Sequence, residues 1–517
     1  MRIGVTGHRN LANADQLAAE VRLRLRDLHQ RFPSTATTPV CFAIRSSLAE
    51  GADRLVVHEA LRELGTADVK LHAILPNSPE EYVRDFRSRE SVAEFRELLA
   101  RAVSCSAPPG MHNRDVAYEH AGRGVVDESD LVIALWDGRH AAGRAGTEEV
   151  VRYAGAQGVP VIVVPTTRAG QSEPPEPVSE APDLAVLQET YRRTLEFNGP
   201  ALDGRVLRKP LNREQRRLAA AVNEPHHAEL VEWSAPRFVR ADVLAMKYQR
   251  RHYRLADALY GLAALAVMII AAQSQAKWSP EVAFLEVGAM LAVLTAFALA
   301  RSTRVHDRWM GYRSLAEAFR SAPFITATAT TPSDSATSSL TGAHWFQHVF
   351  SEAWGARPRN AADPSRASTL SDFLLRGWIE EQISYHERAA VRLRRARSRV
   401  TAAVLALFAV TVAVGVLHAF EAGGEESSWG EWFTFLALSL PAVGGALCAI
   451  RDQRQYRIHE ERSDRVAARL RQLRDELKCQ SDLATVKRLS SQVQAAIDAE
   501  KQDWLGVSEF QDLELAV

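Results

Sequence analysis

The chain has 517 residues, too many for one ordinary domain, with 63 basic side chains against 63 acidic ones. A formal net charge of zero leaves no global field to draw it to nucleic acid, so no nucleic-acid partner is expected. Four scattered cysteines, Cys41, Cys105, Cys448 and Cys479, form no CxxC pair, which argues against a zinc site or disulfide framework and fits reduced thiols.

The opening Arg2-Ile3-Gly4-Val5 enters an apolar strand directly, without the basic start and long apolar core of a cleavable secretory signal. Apolar runs at 3–6, 40–46, 69–75, 131–136 and 159–165 read as strands. Amphipathic stretches at 15–30, 52–64, 116–128 and 147–157 read as helices between them. This βαβ rhythm predicts an α/β, Rossmann-like N-terminal domain with a doubly wound parallel sheet. Ligands on such sheets gather beyond the carboxyl ends of the strands, so the residues just after each strand are the site candidates.

After the first strand come Thr6, Gly7, His8 and Arg9, where glycine permits a tight turn and Arg9 suits a phosphate. After the second come Glu50, Gly51, Asp53 and Arg54 at a helix start, where backbone N–H groups and the helix dipole favour an anion. Arg54 is read as a second phosphate contact, and Glu50 and Asp53 as ribose or base partners. After the strand at 131–136 come Asp137, then Gly143, Arg144, Gly146, Thr147 and Glu148, entering another helix. Arg144 is a third phosphate candidate, Thr147 suits a cap or a phosphate, and Glu148 suits a ribose hydroxyl. There is no GxxxxGK[ST] sequence and no GxGxxG after the first strand, which excludes a P-loop and disfavours an ordinary dinucleotide domain. No metal site, resident cofactor or catalytic residue is expected. The ligand expected is a nucleotide or an ADP-ribose-type molecule.

Residues 168–243 read as a connector containing a Pro/Glu-rich stretch at 173–182. Beyond it lie four apolar segments, 258–276, 282–300, 400–419 and 432–450. Each has about the 20 residues a helix needs to cross a bilayer. Arg and Lys flank their outer limits, as at Arg250, Arg254, Arg301, Arg304, Arg395, Arg399, Arg451 and Arg454, whereas the loops within each pair are short and poor in them. The positive-inside rule then makes two hairpins with both chain termini cytoplasmic, anchored outside by Trp278, Trp429 and Trp432. An all-α transmembrane domain of four helices with cytoplasmic helical extensions is expected, multi-pass in the inner (cytoplasmic) membrane, with the lipid bilayer as partner. Glu286 and Thr411 are the pore candidates; Asp257 is a further acid near the lipid region, and Ser439 and Pro441 could break or line a path. Each hairpin is preceded by an aromatic-basic helix and followed by a charged amphipathic one, which points to an internal duplication. The last of these, with Val466, Leu470, Leu473 and Leu477 at helical spacing, reads either as a face for partner helices or as a solvated stalk. Residues 321–368, rich in Thr, Ser, Ala and Pro, read as loop or linker.

Four blocks, Gly4-Val5-Thr6-Gly7-His8-Arg9, Ala49-Glu50-Gly51-Ala52-Asp53-Arg54-Leu55, the run 130–138 and Gly146-Thr147, resemble the SLOG superfamily, which includes Lonely-guy-type phosphoribohydrolases, DprA-like proteins and TRPM-channel sensor domains. The hairpins and their trailing helix, with Trp309, Tyr312, Arg313, Ala316, Glu317 and Arg320, resemble SLATT membrane effectors. The resemblance implies a sensing domain over 1–170, a connector over 171–243, a first hairpin over 244–322, an insert over 323–370 and a second hairpin over 371–517. It further implies a nucleotide-signal-gated, membrane-perturbing homo-oligomer, channel or pore, in bacterial antiviral defence. The hydrolase motif PGGxGTxxE is broken here: Ala142-Gly143-Arg144 replaces its start, and Val150 stands where its acid belongs. A membrane-anchored N-glycosidic hydrolase and a non-catalytic membrane scaffold are the two alternatives.

Overall fold

Apolar side chains that repel water from both faces draw the strands of the N-terminal part into one parallel sheet. The computed structural model describes residues 1–65, 69–107, 113–139, 146–167, 183–199, 204–275, 283–329, 344–358, 367–420, 428–479 and 482–509. They divide between two units, Met1–Gly199 and Pro200–Val517.

In the first unit the strands are β1 (Arg2–Gly7), β2 (Phe42–Ser46), β3 (Val69–Ile74), β4 (Ser104–Ser106), β5 (Leu131–Trp136) and β6 (Val161–Pro165). The helices are α1 (Ala14–Arg31), α2 (Ala52–Glu63), α3 (Pro79–Tyr82), α4 (Arg89–Arg101), α5 (Arg114–Asp127), α6 (Thr147–Ala156) and α7 (Ala185–Asn198). The sheet order is β4-β3-β2-β1-β5-β6, and every pairing is parallel. β5 is buried from Leu131 to Leu135 because helices cover both faces, whereas α1 buries only its Leu17, Val21, Leu25 and Leu28 stripe.

The sheet and its five expected strands stand. β4 was not foreseen: Ser104, Cys105 and Ser106 are exposed and polar, and only pairing to β3 makes them a strand. The chain runs outward from β1 to β4 and then returns to β5 beside β1. The order therefore reverses between β1 and β5, where two strand ends open a crevice.

The second unit is helical: α8 (Gly204–Ala219), α9 (Pro225–Gln275), α10 (Ala283–Ser302), α11 (Val305–Ala327), α12 (His344–Gly355), α13 (Ala367–Leu374), a π-helical turn at Leu375–Ile379, α14 (Glu380–Ala419), α15 (Ser428–Arg454), α16 (Tyr456–Cys479) and α17 (Leu483–Glu509). Three helical runs are long and apolar enough to cross a membrane, Pro225–Gln273, Ala367–Ala419 and Gly430–Cys479. The fourth expected span is the shorter apolar helix Phe284–Leu299, and residues 276–282 before it lie outside the described residues. Large apolar side chains point outward on all four, Phe284 76% exposed, Phe408 67% and Trp432 59%.

The expected loop at 321–368 is corrected in part, since 330–343 and 359–366 lie outside the described residues. α11 continues to Ala327, and α12 buries Trp345, Phe346 and Val349, an apolar stripe hidden among small and polar neighbours. The connector region holds α7, α8 and the first turns of α9, while 168–182 lies outside the described residues. The two readings of the amphipathic helix α16 also resolve. Val466, Leu470, Leu473 and Leu477 pack in this chain's own core with Val486, Leu489 and Val493 of α17.

The two hairpins have matching breaks. Arg304 (φ 43°) separates α10 from α11, and Gln455 (φ 44°) separates α15 from α16. A single left-handed residue interrupts the backbone ladder and redirects each chain from an apolar helix into a charged one. On the incoming side there is no break: α9 runs for 51 residues, about 75 Å, and α14 for 40 residues, about 60 Å.

Candidate functional site

Gly7 ends β1 opposite Leu135 of β5. A Cβ there would stand 2.5 Å from the Ala52 Cβ and 2.7 Å from the Leu135 carbonyl oxygen, so glycine is what lets α2 and β5 close on the strand end. Gly51, at the start of α2, has φ 83° and ψ −117°. Its Cβ would meet the Arg9 carbonyl oxygen at 2.3 Å and that of His8 at 2.6 Å. The first two loops are therefore pressed backbone to backbone. The Ala52 N–H donates to the His8 carbonyl at 3.1 Å, and the His8 N–H donates to the Leu135 carbonyl at 3.1 Å. One of the α2 N–H groups expected to face an anion is thus spent inside the fold.

Across the switch point, His8 Nε2 lies 3.0 Å from Asp137 Oδ1 and 3.2 Å from the Asp137 backbone nitrogen. Both side chains are largely buried, so the β1 and β5 loops are locked together. Half-buried Thr6 lies opposite Ala134, just below this lock. α6, which packs on β1 and β5, begins beside it: Gly146 takes the cap position without a side-chain bond, and buried Thr147 is the first helical residue rather than the cap. Glu148 follows, half-buried, whereas Gly143 and Arg144 lie outside the described residues.

The second loop is held by Asp53. Its carboxylate accepts from Ser46 Oγ at 2.9 Å and from the Ala49 N–H at 3.4 Å. Burial pushes this carboxyl up from 3.8 to about 6, and the hydrogen bonds from Ser46, Ala49 and Ser47 only partly counter it. Between them, buried Leu48 sits at φ 55°, a conformation that a bulky residue keeps only when its surroundings enforce it. Burial would raise the Glu50 carboxyl, but Ser91 Oγ at 2.5 Å and the Arg87 N–H at 3.0 Å, with the Arg54 and Arg87 charges, hold it below its ordinary value.

The arginines differ. Arg54 is 3% exposed; it donates from Nε to the Leu48 carbonyl at 3.1 Å and from Nη1 to Glu94 at 2.8 Å and the Ser91 carbonyl at 2.9 Å. Its charge serves the fold. Arg9 is half-buried with its guanidinium 5.0 Å from the Tyr118 ring. Burial works against that charge, yet Tyr118, Tyr82 and Asp85 more than offset it and keep Arg9 protonated.

Burial pushes the Tyr82 hydroxyl well up, and the charges of Asp53, Arg9 and Arg54 all act on it. The Tyr82 ring packs edge-on to Phe86 and Phe95, and its buried hydroxyl has no hydrogen-bond partner among the described residues. Tyr118 donates to Asp85, which Arg114 also pairs. Tyr82, Asp85, Arg114 and Tyr118 were not singled out from the sequence. They follow no strand end, and the only signal was aromatic spacing between Tyr82 and Phe86.

In the helical unit, Glu286 occupies the first turn of α10, and the Thr411 hydroxyl donates to the Leu407 carbonyl of its own helix at 2.9 Å. No group of three or more metal-ligating side chains occurs among the described residues. Neither the family models nor the curated proteins compared with this chain match it.

Proposed function

We propose that the parallel-sheet unit is a sensor for a nucleotide or ADP-ribose-type ligand, and that binding regulates a helical effector inserted in the cytoplasmic membrane. The observation that carries the sensor reading is the protonated, half-buried Arg9 after β1, within electrostatic reach of Tyr82, whose buried hydroxyl has no hydrogen-bond partner among the described residues. A phosphate accepts from both kinds of donor, and burial strengthens the charge-assisted bond. The outward apolar faces of α9, α10, α14 and α15 support insertion, and the Arg-rich flanks favour cytoplasmic termini. The likeness to SLOG sensors and SLATT effectors agrees with a homo-oligomeric pore or channel in antiviral defence. A ligand gates such a pore only as far as it binds one state better than the other.

The test is calorimetry on the full-length protein in detergent against ADP-ribose forms, cyclic oligonucleotides, NAD and mononucleotides, followed by product analysis and ion flux in liposomes. Saturable binding of an intact ligand, lost in Arg9→Ala and Arg144→Ala, is expected. Turnover of the ligand would replace the sensor with an enzyme. Unchanged affinity in both variants would reject the site.

A further inference from the structure

A second charged site lies wholly within the helical unit. A cavity of about 1400 Å³ opens between α8, α9, α11, α14 and α16, and its described lining holds ten Arg and Lys against six Asp and Glu. Eight of these ten basic groups fall into two sets, Arg454, which pairs with Asp257, and Arg462 standing apart from both. The inner set is paired: Arg313 reaches Glu317 at 2.6 Å and Asp242 at 3.7 Å, Arg320 reaches Glu317 at 3.1 Å, and Arg217 is bidentate on Glu214. These ion pairs fix the floor. The outer set, Lys209 and Arg213 on α8, Arg376 in the π-helical turn, and Arg388 and Arg392 on α14, is exposed, and none has an ion-pair or hydrogen-bond partner among the described residues.

Against those five cations the wall offers Glu380, which pairs with Lys478 at 3.5 Å, and Glu381, which accepts from Gln382 at 3.3 Å, so the lining keeps an excess of basic over acidic side chains. Glu500 has no ion pair among the described residues, and burial with the nearby Glu317 pushes its carboxyl up to about 7, which weakens its countercharge. Buried His386 also lines the cavity, 4% exposed, with Nδ1 lacking a partner. A π-helical turn is rare and here carries Arg376 into the rim. Arg388 and Arg392 are one helical turn apart, so they share a face of α14, the helix that continues into the apolar run 400–419.

We propose that this cavity binds a multiply charged, phosphate-bearing anion that bridges α8 to the base of α14. Such an anion supplies the missing countercharge, and clustered guanidinium groups recognise phosphate with several donors each. Its effect is to tie the first helix of the unit to a membrane-directed helix. The anion is either the headgroup of a lipid or a soluble polyphosphate, and the site does not depend on the sheet unit.

The test uses the full chain in phosphatidylcholine nanodiscs with two probes, inorganic tripolyphosphate by calorimetry and admixed cardiolipin by native mass spectrometry. Saturable tripolyphosphate binding supports the proposal with a soluble anion. Retained cardiolipin without tripolyphosphate binding supports it with a lipid. The double variant Arg388→Ala/Arg392→Ala, both on exposed positions, is expected to weaken whichever probe binds by about tenfold or more, the scale of a lost charge-assisted bond. Arg388→Lys/Arg392→Lys is expected to retain most of the binding, which separates charge from folding. Arg9→Ala is expected to leave it unchanged, which separates this site from the crevice. Absence of both probes, or binding that the alanine pair does not alter, overturns the proposal.

Discussion

Replacing Gly51 by alanine probes the apposition of the first two loops. Two costs combine in Gly51→Ala. A φ of 83° is strained for an L side chain, about 1–3 kcal/mol. The new methyl would also lie 2.3 Å from the Arg9 carbonyl oxygen and 2.6 Å from that of His8. Neither carbonyl is the end of a flexible side chain, and the His8 carbonyl is tethered by the Ala52 N–H. Relief requires a backbone shift of the overpacking kind, about 1–3 kcal/mol more. A loss of about 4 kcal/mol should lower Tm by about 8–16 °C in a unit of this size. The control is Gly65→Ala, where φ is 84° but no atom lies within 4 Å of the added Cβ. Strain alone should cost about 1 kcal/mol there, roughly 2–4 °C. Melting the fragment Met1–Gly199, whose apolar core closes within itself, measures both. Equal losses in the two variants would refute the claim that the loops touch.

Three further outcomes are expected. The Asp53 carboxyl rises from 3.8 to about 6 on folding, so the folded state holds a proton that the unfolded state has released; stability should fall as pH rises from about 4 to 6, by at most about 3 kcal/mol, and Asp53→Asn should flatten that part of the Tm–pH profile. Arg54→Ala should destabilise the fragment by about 3 kcal/mol, because it strands the Leu48 and Ser91 carbonyls and Glu94, whereas Arg9→Ala should cost about 1 kcal/mol, read from denaturant midpoints. Arg454 Nη2 donates to both carboxylate oxygens of Asp257, at 2.8 and 2.7 Å, joining α15 to α9, and a double-mutant cycle on thermal stability in detergent should give a coupling of about 1 kcal/mol; additive effects would contradict the contact.

Much of this was legible in the chain. β1, β2, β3, β5 and β6 were readable because a sheet covered on both faces demands continuous apolar runs, and those runs are present. β4 was not, since an exposed edge leaves Ser104-Cys105-Ser106 without a pattern. Residues 321–368 misled because composition resembles a linker, while burial of Trp345, Phe346 and Val349 depends on α11 supplying the opposite wall. Gly7, at the end of β1, and Gly51, before α2, lie where the first two loops press together, whereas Gly143 lies outside the described residues.

Local chemistry, read residue by residue, was enough to determine the alternating sheet, the apolar helices and the charges flanking them, because periodicity and hydropathy are properties of neighbours in the chain. Only the tertiary structure decided what each charge does. Arg9 and Arg54 look alike in sequence, yet one rests on the Tyr118 ring while the other donates from Nε and Nη1 to Leu48, Ser91 and Glu94. The same holds for the basic residues of α8 and α14, which lie in a connector and a membrane flank in sequence and on one cavity rim in space. Whether a charge is free or spent depends on which distant segments fold against it, and no local pattern encodes those partners.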